Sequence, residues 1–378
     1  MGRKKSGSRK KKPESILASK VRLAVALVLL ASCPILMLLF QKMPDAFFPA
    51  YRSFSKALAN VLATAACWCP VALWDWMLAY ILVMIIATLI RRLWKRMPLL
   101  HWASWSLLVV AAICALAVDG WALNHYAPTL ASDMGLEVHE CSTDELAEAT
   151  EHYLQEAAAL AGQVPREEGG SLIAQDFFEM APIAGDAYEK LGEEYPIFQG
   201  CTRPVKALIL FGEPLLYSGH TGIYWATTGE SSVPLHTATA EMPFTMCHEA
   251  AHRLGIAREQ EANFAAFVAC TTNDDVRFRY SGCYSAFSYC LNALYGEDPE
   301  RAQEVVQQVL AENEKGVTLV FADRSATQEH YAAYKGTFEE VGTSVNNSYL
   351  KSFGETEGVK SYGLVVDDLI AWHEAGLG

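Results

Sequence analysis

Basic residues are scarce beyond Asn124. Residues 125–378 hold 14 Lys and Arg against 39 Asp and Glu, whereas residues 1–124 hold 16 against 4. Phosphate backbones are gripped by clustered Lys and Arg, so the acidic two-thirds argues against nucleic acid as a partner. Cysteine pairs at metal-binding spacing are also missing. No Cys-x-x-Cys lies outside the apolar first third, which disfavours a cysteine-rich zinc site. What the first third lacks is charge of either sign over long stretches, and a chain that is 52% hydrophobic is too apolar to read as wholly soluble. A basic, greasy beginning and an acidic remainder are two different physical objects.

Three runs in the first third are long and apolar enough to cross a bilayer as helices: Val21 to Phe40, Val71 to Ile90 and Ser104 to Leu123. Asp75 and Asp119 fall toward the ends of their runs, where a carboxylate can reach the interface. Orientation follows from the basic residues. The tail 1–20 and the short loop with Arg91, Arg92, Lys95 and Arg96 belong in the cytoplasm. The Gln41 to Pro70 loop, nearly devoid of basic residues after Lys56, then lies outside. So does everything after about Asn124. Trp74, Trp76, Trp102, Trp105 and Trp121 sit where interfacial anchors belong. The expected division is a cytoplasmic tail (1–20), a three-helix membrane region (21–124) and an outer domain (125–378).

The chemistry concentrates in Cys247-His248-Glu249-Ala250-Ala251-His252-Arg253-Leu254-Gly255. Histidines four apart stand on one helical face, one turn above the other, so two imidazoles can hold one Zn2+. Glu249 beside the first can take a proton from a water activated there. Pro243 suits a first turn, Gly255 stops the helix, and Ala250 and Ala251 let it pack closely. Thr245 and Leu254 match the usual flanks of such motifs, but Arg253 stands where an uncharged residue is normal. A second helix from about Arg258 to Cys270 carries two acids, Glu259 and Glu261, either able to complete the site. Glu261 shares a face with Phe264, Ala265 and Val268, and an unpaired carboxylate in a core is costly unless a metal or partner answers it. It is the favoured third ligand, and Glu259 stays open.

Elsewhere the outer domain reads as mostly helical. Ser142 or Thr143 caps a helix running to about Gly162. A second runs from Ser171 to Glu194 and buries Ile173, Phe177, Phe178 and Tyr188. Between Pro204 and Val233 glycines punctuate short extended runs, with Ile223-Tyr224-Trp225 as one strand of a small antiparallel sheet. Such a strand, just before a metal helix, can offer its edge to an extended peptide. Pro299 to Glu314 and Asp323 to Glu340 read as amphipathic helices, and Gly363 to Ala375 as the last helix. Six cysteines fall outside, and Cys141 with Cys201 is a plausible disulfide.

The run from His248 through Phe264, with Phe278-Arg279-Tyr280-Ser281 and Val359-Lys360-Ser361-Tyr362-Gly363, resembles an uncharacterised family of bacterial membrane proteins. This is the domain of unknown function 3810, commonest in Firmicutes and Bacteroidetes. The resemblance implies a gluzincin-like site, with Glu261 of Glu-Ala-Asn-Phe as the matching acid. It supplies no substrate.

The expectation is therefore an α+β protein, three membrane helices followed by a mostly helical zincin-like domain outside the cytoplasmic membrane. Zn2+ is held by His248, His252 and Glu261, with Glu249 as general base toward a peptide or protein substrate. Tyr362 is the favoured donor to the developing oxyanion, with Tyr224 and His330 open. The alternative is a non-catalytic zinc-binding sensor or envelope assembly protein that retains a peptidase fold.

Overall fold

The computed structural model describes residues 16–95, 98–354 and 362–377, and 73% of these described residues are helical. Three helices are long and apolar enough to cross a membrane: α1 (Ile16–Lys42), α3 (Leu73–Lys95) and α4 (Leu99–Val118), whose apolar run continues through a 3-10 turn at Ala122–Tyr126. α1 packs along α4. Two polar contacts fix their register: Arg22 Nε donates to Ser104 Oγ at 3.1 Å, and Ser32 Oγ donates to Asp119 Oδ2 at 2.6 Å. Within an apolar helix pair such bonds satisfy groups that lipid cannot.

Residues 41–70, expected as a loop, instead form a second helix, α2 (Pro44–Ala66). Its start signals are ordinary ones, a proline in the first turn and Asp45 beside it. The rest of the chain adds α5 (Leu130–Met134), α6 (Thr143–Ala161), α7 (Phe177–Glu194), α8 (Gly212–Tyr217), α9 (Met242–Arg253) and α10 (Glu259–Thr271). It ends with α11 (Val276–Glu297), α12 (Pro299–Glu312), α13 (Glu314–Ala332), α14 (Thr337–Ser352) and α15 (Tyr362–Glu374). α11 runs through the middle of the core, touching α6, α9, α10, α12 and α15.

The helix from Ser142 forms as its sequence demands. Ser142 Oγ accepts from Glu145 N while the Glu145 carboxylate accepts from Ser142 N, a reciprocal capping box. α7 begins later than Ser171, because the Asp176 carboxylate caps it by accepting from Phe178 N at 2.8 Å. Phe177 and Tyr188 are buried as expected, whereas Ile173 and Phe178 face solvent. All ten cysteines are free thiols, Cys141 and Cys201 included, so the expected disulfide between them is absent.

The sheet has three strands in the order β1 (Lys206–Leu208), β3 (Glu230–Pro234), β2 (Ile223–Trp225). It is mixed rather than antiparallel: β2 runs antiparallel to β3 with Tyr224 opposite Ser231, but β1 runs parallel to it with Ala207 opposite Val233. A parallel bridge between Val71 and Ala207 brings the chain just ahead of α3 onto the outer side of β1.

That bridge opens a dense connection between α3 and the sheet. The Glu230 carboxylate accepts from Leu73 N (2.9 Å) and Trp74 N (3.0 Å), placing a negative charge at the positive end of α3. It also pairs with Lys206 Nζ at 2.7 Å, and both side chains are buried. Trp74 stacks on Trp225 at 4.5 Å and donates from Nε1 to Ser232 Oγ. Asp75, read as an interfacial boundary residue, is fully buried and accepts from three successive amides, Ile209, Leu210 and Phe211. The turn after β1 points three N–H groups inward, and Asp75 is what satisfies them.

Removing Glu230 would leave the buried Lys206 ammonium without its counter-charge, a loss typically worth about 3–5 kcal/mol. Glu230→Ala is therefore expected to lower the Tm of the detergent-solubilised chain strongly. The pair Lys206→Met with Glu230→Gln, which removes the charge and keeps an acceptor, should cost less. Equal melting of Glu230→Ala and wild type would show that this connection carries no stability.

Candidate metal centre

α9 carries the two histidines. Glu241 precedes it without a side-chain cap, Pro243 stands in the first turn, and Ser281 Oγ accepts from Phe244 N at 3.2 Å to satisfy an early amide. Ala250, Ala251 and Cys247 are buried with no room to spare, which lets α10 fold back against α9. The helix ends at Gly255, whose φ of +90° is reached without strain only by glycine. Ile256 N then bonds back to Ala251 O at 3.2 Å, and the same turn brings Ile256 O to within 2.8 Å of His252 Nδ1. How the helix stops thus decides how its last histidine is oriented.

Both imidazoles are held the same way. His252 Nδ1 donates to Ile256 O, and His248 Nδ1 donates to Asn263 Oδ1, also at 2.8 Å. An imidazole that donates from Nδ1 presents a lone pair at Nε2, the arrangement seen in metal-ligating histidines. The two Nε2 atoms stand 3.0 Å apart. Glu259 completes the group, its carboxylate 3.3 Å from His248 Nε2 and 3.9 Å from His252 Nε2. Two ligand atoms on one tetrahedral zinc lie about 3.3 Å apart, given bonds of about 2.0–2.1 Å. His248, His252 and Glu259 therefore fit such an ion closely, with their ligand atoms all within 4.8 Å of one another.

Electrostatics reinforce this group. Burial and the neighbouring His248 charge depress His252 to about 4. Burial alone would raise Glu259, but its bond to His248 and the two imidazole charges bring it down to about 2. Burial likewise works against a charge on His248, and the Glu259 bond and charge outweigh it, so its pKa rises. Glu259 keeps 37% of its side chain exposed, which makes it the open side of the site.

Glu249 sits beside these candidate ligands and is not one of them. Its backbone carbonyl accepts from Ser231 Oγ of β3 at 2.6 Å, while its carboxylate lies against Gly222 at the start of β2. A Cβ at Gly222 would come within 2.5 Å of Glu249 Oε1, so only glycine leaves room for that carboxylate. Burial raises Glu249 to about 8, and its buried Oε2 has no hydrogen-bond partner among the described residues. A sealed carboxylate oxygen without a donor is costly, and such atoms mark places where a ligand is missing.

Glu261 is turned elsewhere. It is buried, as its apolar neighbours on the helix require, but it faces Arg258 at 3.0 Å and accepts from Leu130 N at 3.0 Å, at the start of α5. The carboxylate that the core would have rejected is answered by an arginine and an amide instead of a metal. Residues 259 and 261 are two apart, about 200° around a helix, so one site can recruit only one of them. Glu259, and not Glu261, is the acid that lies with His248 and His252 in the candidate group.

The candidate donors separate as well. Tyr224 packs on Trp121 at 5.1 Å, and burial, partly offset by Arg253, raises its hydroxyl pKa. His330 packs against Tyr331 on α13 and against Tyr334 just past its end, in a cluster that reaches Tyr217 of α8. Tyr362 opens α15, but its side chain lies outside the described residues. Arg253, the unusual flank, is buried and donates to Cys201 O at 2.9 Å and to Arg203 O, tying α9 to the segment that leads into β1.

Three residues had no role at this site in the sequence reading. Asn263 orients His248, and its i+4 spacing from Glu259 was a legible signal that both share one helical face. Trp121, three residues past α4, donates from Nε1 to His252 O at 2.8 Å and meets the His252 ring edge-on at 6.0 Å. His125 stacks on Phe353 at 4.6 Å, and its charge bears on both His252 and Glu259. The helix carrying the two histidines is therefore in direct contact with the chain leaving α4.

A family model, protein of unknown function DUF3810, matches residues 51–370. The chain belongs to this family. No curated protein and no solved structure matches it significantly. The matched range takes in α2 from residue 51 onward, α3, α4, the sheet and every residue of the centre described above. In this DUF3810 chain the geometry predicts distinct effects when Zn2+ is titrated into the purified protein. Glu259→Gln should weaken binding and Glu261→Gln should leave it intact. Asn263→Ala, which frees His248 Nδ1, should cost about 10–100-fold in affinity. Loss of binding in Glu261→Gln with retention in Glu259→Gln would reverse the assignment.

Proposed function

We propose that this chain is a membrane-anchored zinc peptidase acting on polypeptide at the outer surface of the cytoplasmic membrane. One observation carries the reading. Two Nε2 lone pairs and the Glu259 carboxylate converge on a point, beside a buried Glu249 carboxylate whose Oε2 lacks a donor among the described residues. A site that only held a metal would have no use for Glu249. The outward orientation rests on the basic tail 1–20 and the basic loop 91–96.

A zinc ion in such a site supplies Lewis acidity and brings the pKa of water toward neutrality. The chain's own residues supply the rest. Asn263 and Ile256 O keep both imidazoles in the tautomer that leaves Nε2 free. Glu249 takes a proton at its carboxylate and passes it to the departing amine, and its raised pKa suits a group that both accepts and gives one. β2 is the edge strand of the sheet, and Gly222 at its start touches the Glu249 carboxylate. An extended substrate paired along β2 would be carried past the base. Contact between Trp121 and His252 puts this chemistry close to the end of a membrane helix, where segments flanking a bilayer are within reach.

The test is Glu249→Gln. An amide there should preserve zinc content and folding but lower peptide-library cleavage by about a hundredfold to ten-thousandfold, the usual contribution of a general base. Full activity in Glu249→Gln, together with loss of function in His248→Ala, would make the metal structural or sensory and overturn the peptidase reading.

A further inference from the structure

α2 has two opposed faces with different surroundings. One face packs on the outer domain. Ser55 Oγ accepts from Asn124 Nδ2 at 2.9 Å, and Lys56 Nζ donates to Gln199 O at 2.8 Å. Gly229, in the turn between β2 and β3, approaches so closely that a Cβ would lie 2.8 Å from Ala59 O and Ala63 N. Arg52, on the polar flank, pairs with Asp133 at 2.6 Å. The opposite face is apolar and bare. Phe47, Phe54 and Val61 recur every seven residues, and Trp68 continues the line just past the helix end. A seven-residue step falls only about 20° short of two full turns, so these side chains form one stripe. Phe54, Val61 and Trp68 are 53%, 64% and 75% exposed.

Large apolar side chains in a continuous exposed line have a strong tendency to be covered. The chain's own connectivity says by what. α2 joins α1 to α3, both long and apolar enough to cross a bilayer, so both its ends emerge on the same membrane face. A helix of 23 residues, about 34 Å long, tethered at both ends to one face must lie along that face. The exposed apolar surface is continuous with that of α1, running from Leu38 and Leu39 through Met43 to Phe47. Trp76, half exposed in the first turn of α3, extends it beyond Trp68. Tryptophan at such a level is the usual interfacial anchor.

We propose that the Phe47–Phe54–Val61–Trp68 face of α2 is seated in the lipid bilayer at the headgroup–acyl boundary. The helix forms a floor between the membrane and the sheet that flanks Glu249. Interfacial helices of this kind sink an apolar face about 5–10 Å into that boundary while the polar flank stays wet. The floor fixes the height of the sheet through Gly229, and with Trp121 against His252 it holds the candidate metal centre at the membrane surface.

The test uses the full-length chain reconstituted in vesicles of phosphatidylethanolamine and phosphatidylglycerol. The photo-crosslinking residue p-benzoylphenylalanine replaces Phe54, Val61 or, as a control on exposed α12, Glu304. Samples are compared only if their size-exclusion elution before reconstitution matches wild type. After irradiation, intact-mass spectrometry should read the added mass of one phospholipid at positions 54 and 61 and none at 304. Crosslinks from 54 and 61 to a second copy of the chain would assign the face to a protein partner and overturn the proposal. Absence of lipid adducts at both positions would overturn it equally.

Discussion

A carboxylate sealed from water must find donors, and that requirement sorts the acids of this protein. Asp75 collects three backbone amides, Glu230 two amides and a lysine, and Glu261 an amide and an arginine. Each is answered fully by the protein, and each holds two distant parts of the chain together. Glu249 and Glu259 are different. Glu259 faces two imidazoles and stays 37% exposed, and among the described residues Glu249 keeps a buried oxygen with no donor. Unsatisfied buried polarity is costly and persists where it serves chemistry. The contrast between answered and unanswered carboxylates separates scaffold from site here more sharply than the His-Glu-x-x-His pattern does.

The same contacts join the site to the membrane helices. β3 donates through Ser231 to the carbonyl of Glu249 and, through Glu230, caps the start of α3. Trp121 reaches from the end of the third apolar run to the carbonyl of His252. The helix carrying the histidines is therefore anchored to two candidate spans, one through the sheet and one directly. A soluble domain on a flexible tether would show no such bonds. These bonds link residues on either side of residue 124, where the sequence places the division between the apolar region and the outer domain.

Local chemistry was legible in the sequence wherever the signal was itself local. Pro243 and Gly255 bracket α9, the Ser142–Glu145 pair starts α6, and Ile223–Trp225 is a strand as its alternation and glycine flanks require. Signals that depend on a distant partner were not. Glu261 looked like a ligand because it faces the core, yet only the fold brings Arg258 and Leu130 N to it. Asp75 looked interfacial because nothing nearby reveals the three amides of residues 209–211. The parallel pairing of β1 with β3 joins residues some 26 apart across α8, a choice that alternation within either strand cannot express. α2 was different again: Pro44 and Asp45 announced it, but its apolar surface is split between a protein face and a bare face, which blurs the single stripe of an ordinary amphipathic helix.

The central claim is that His248, His252 and Glu259 form one zinc site. Its most direct test is the zinc K-edge absorption spectrum of the full-length protein loaded with one equivalent of Zn2+. The account predicts a four-coordinate shell of nitrogen and oxygen at about 2.0–2.1 Å, with outer-shell scattering from two imidazoles and no sulfur. The spectrum should be unchanged in Glu261→Gln. A shell containing thiolate sulfur, or an all-oxygen shell without imidazole scattering, would contradict it.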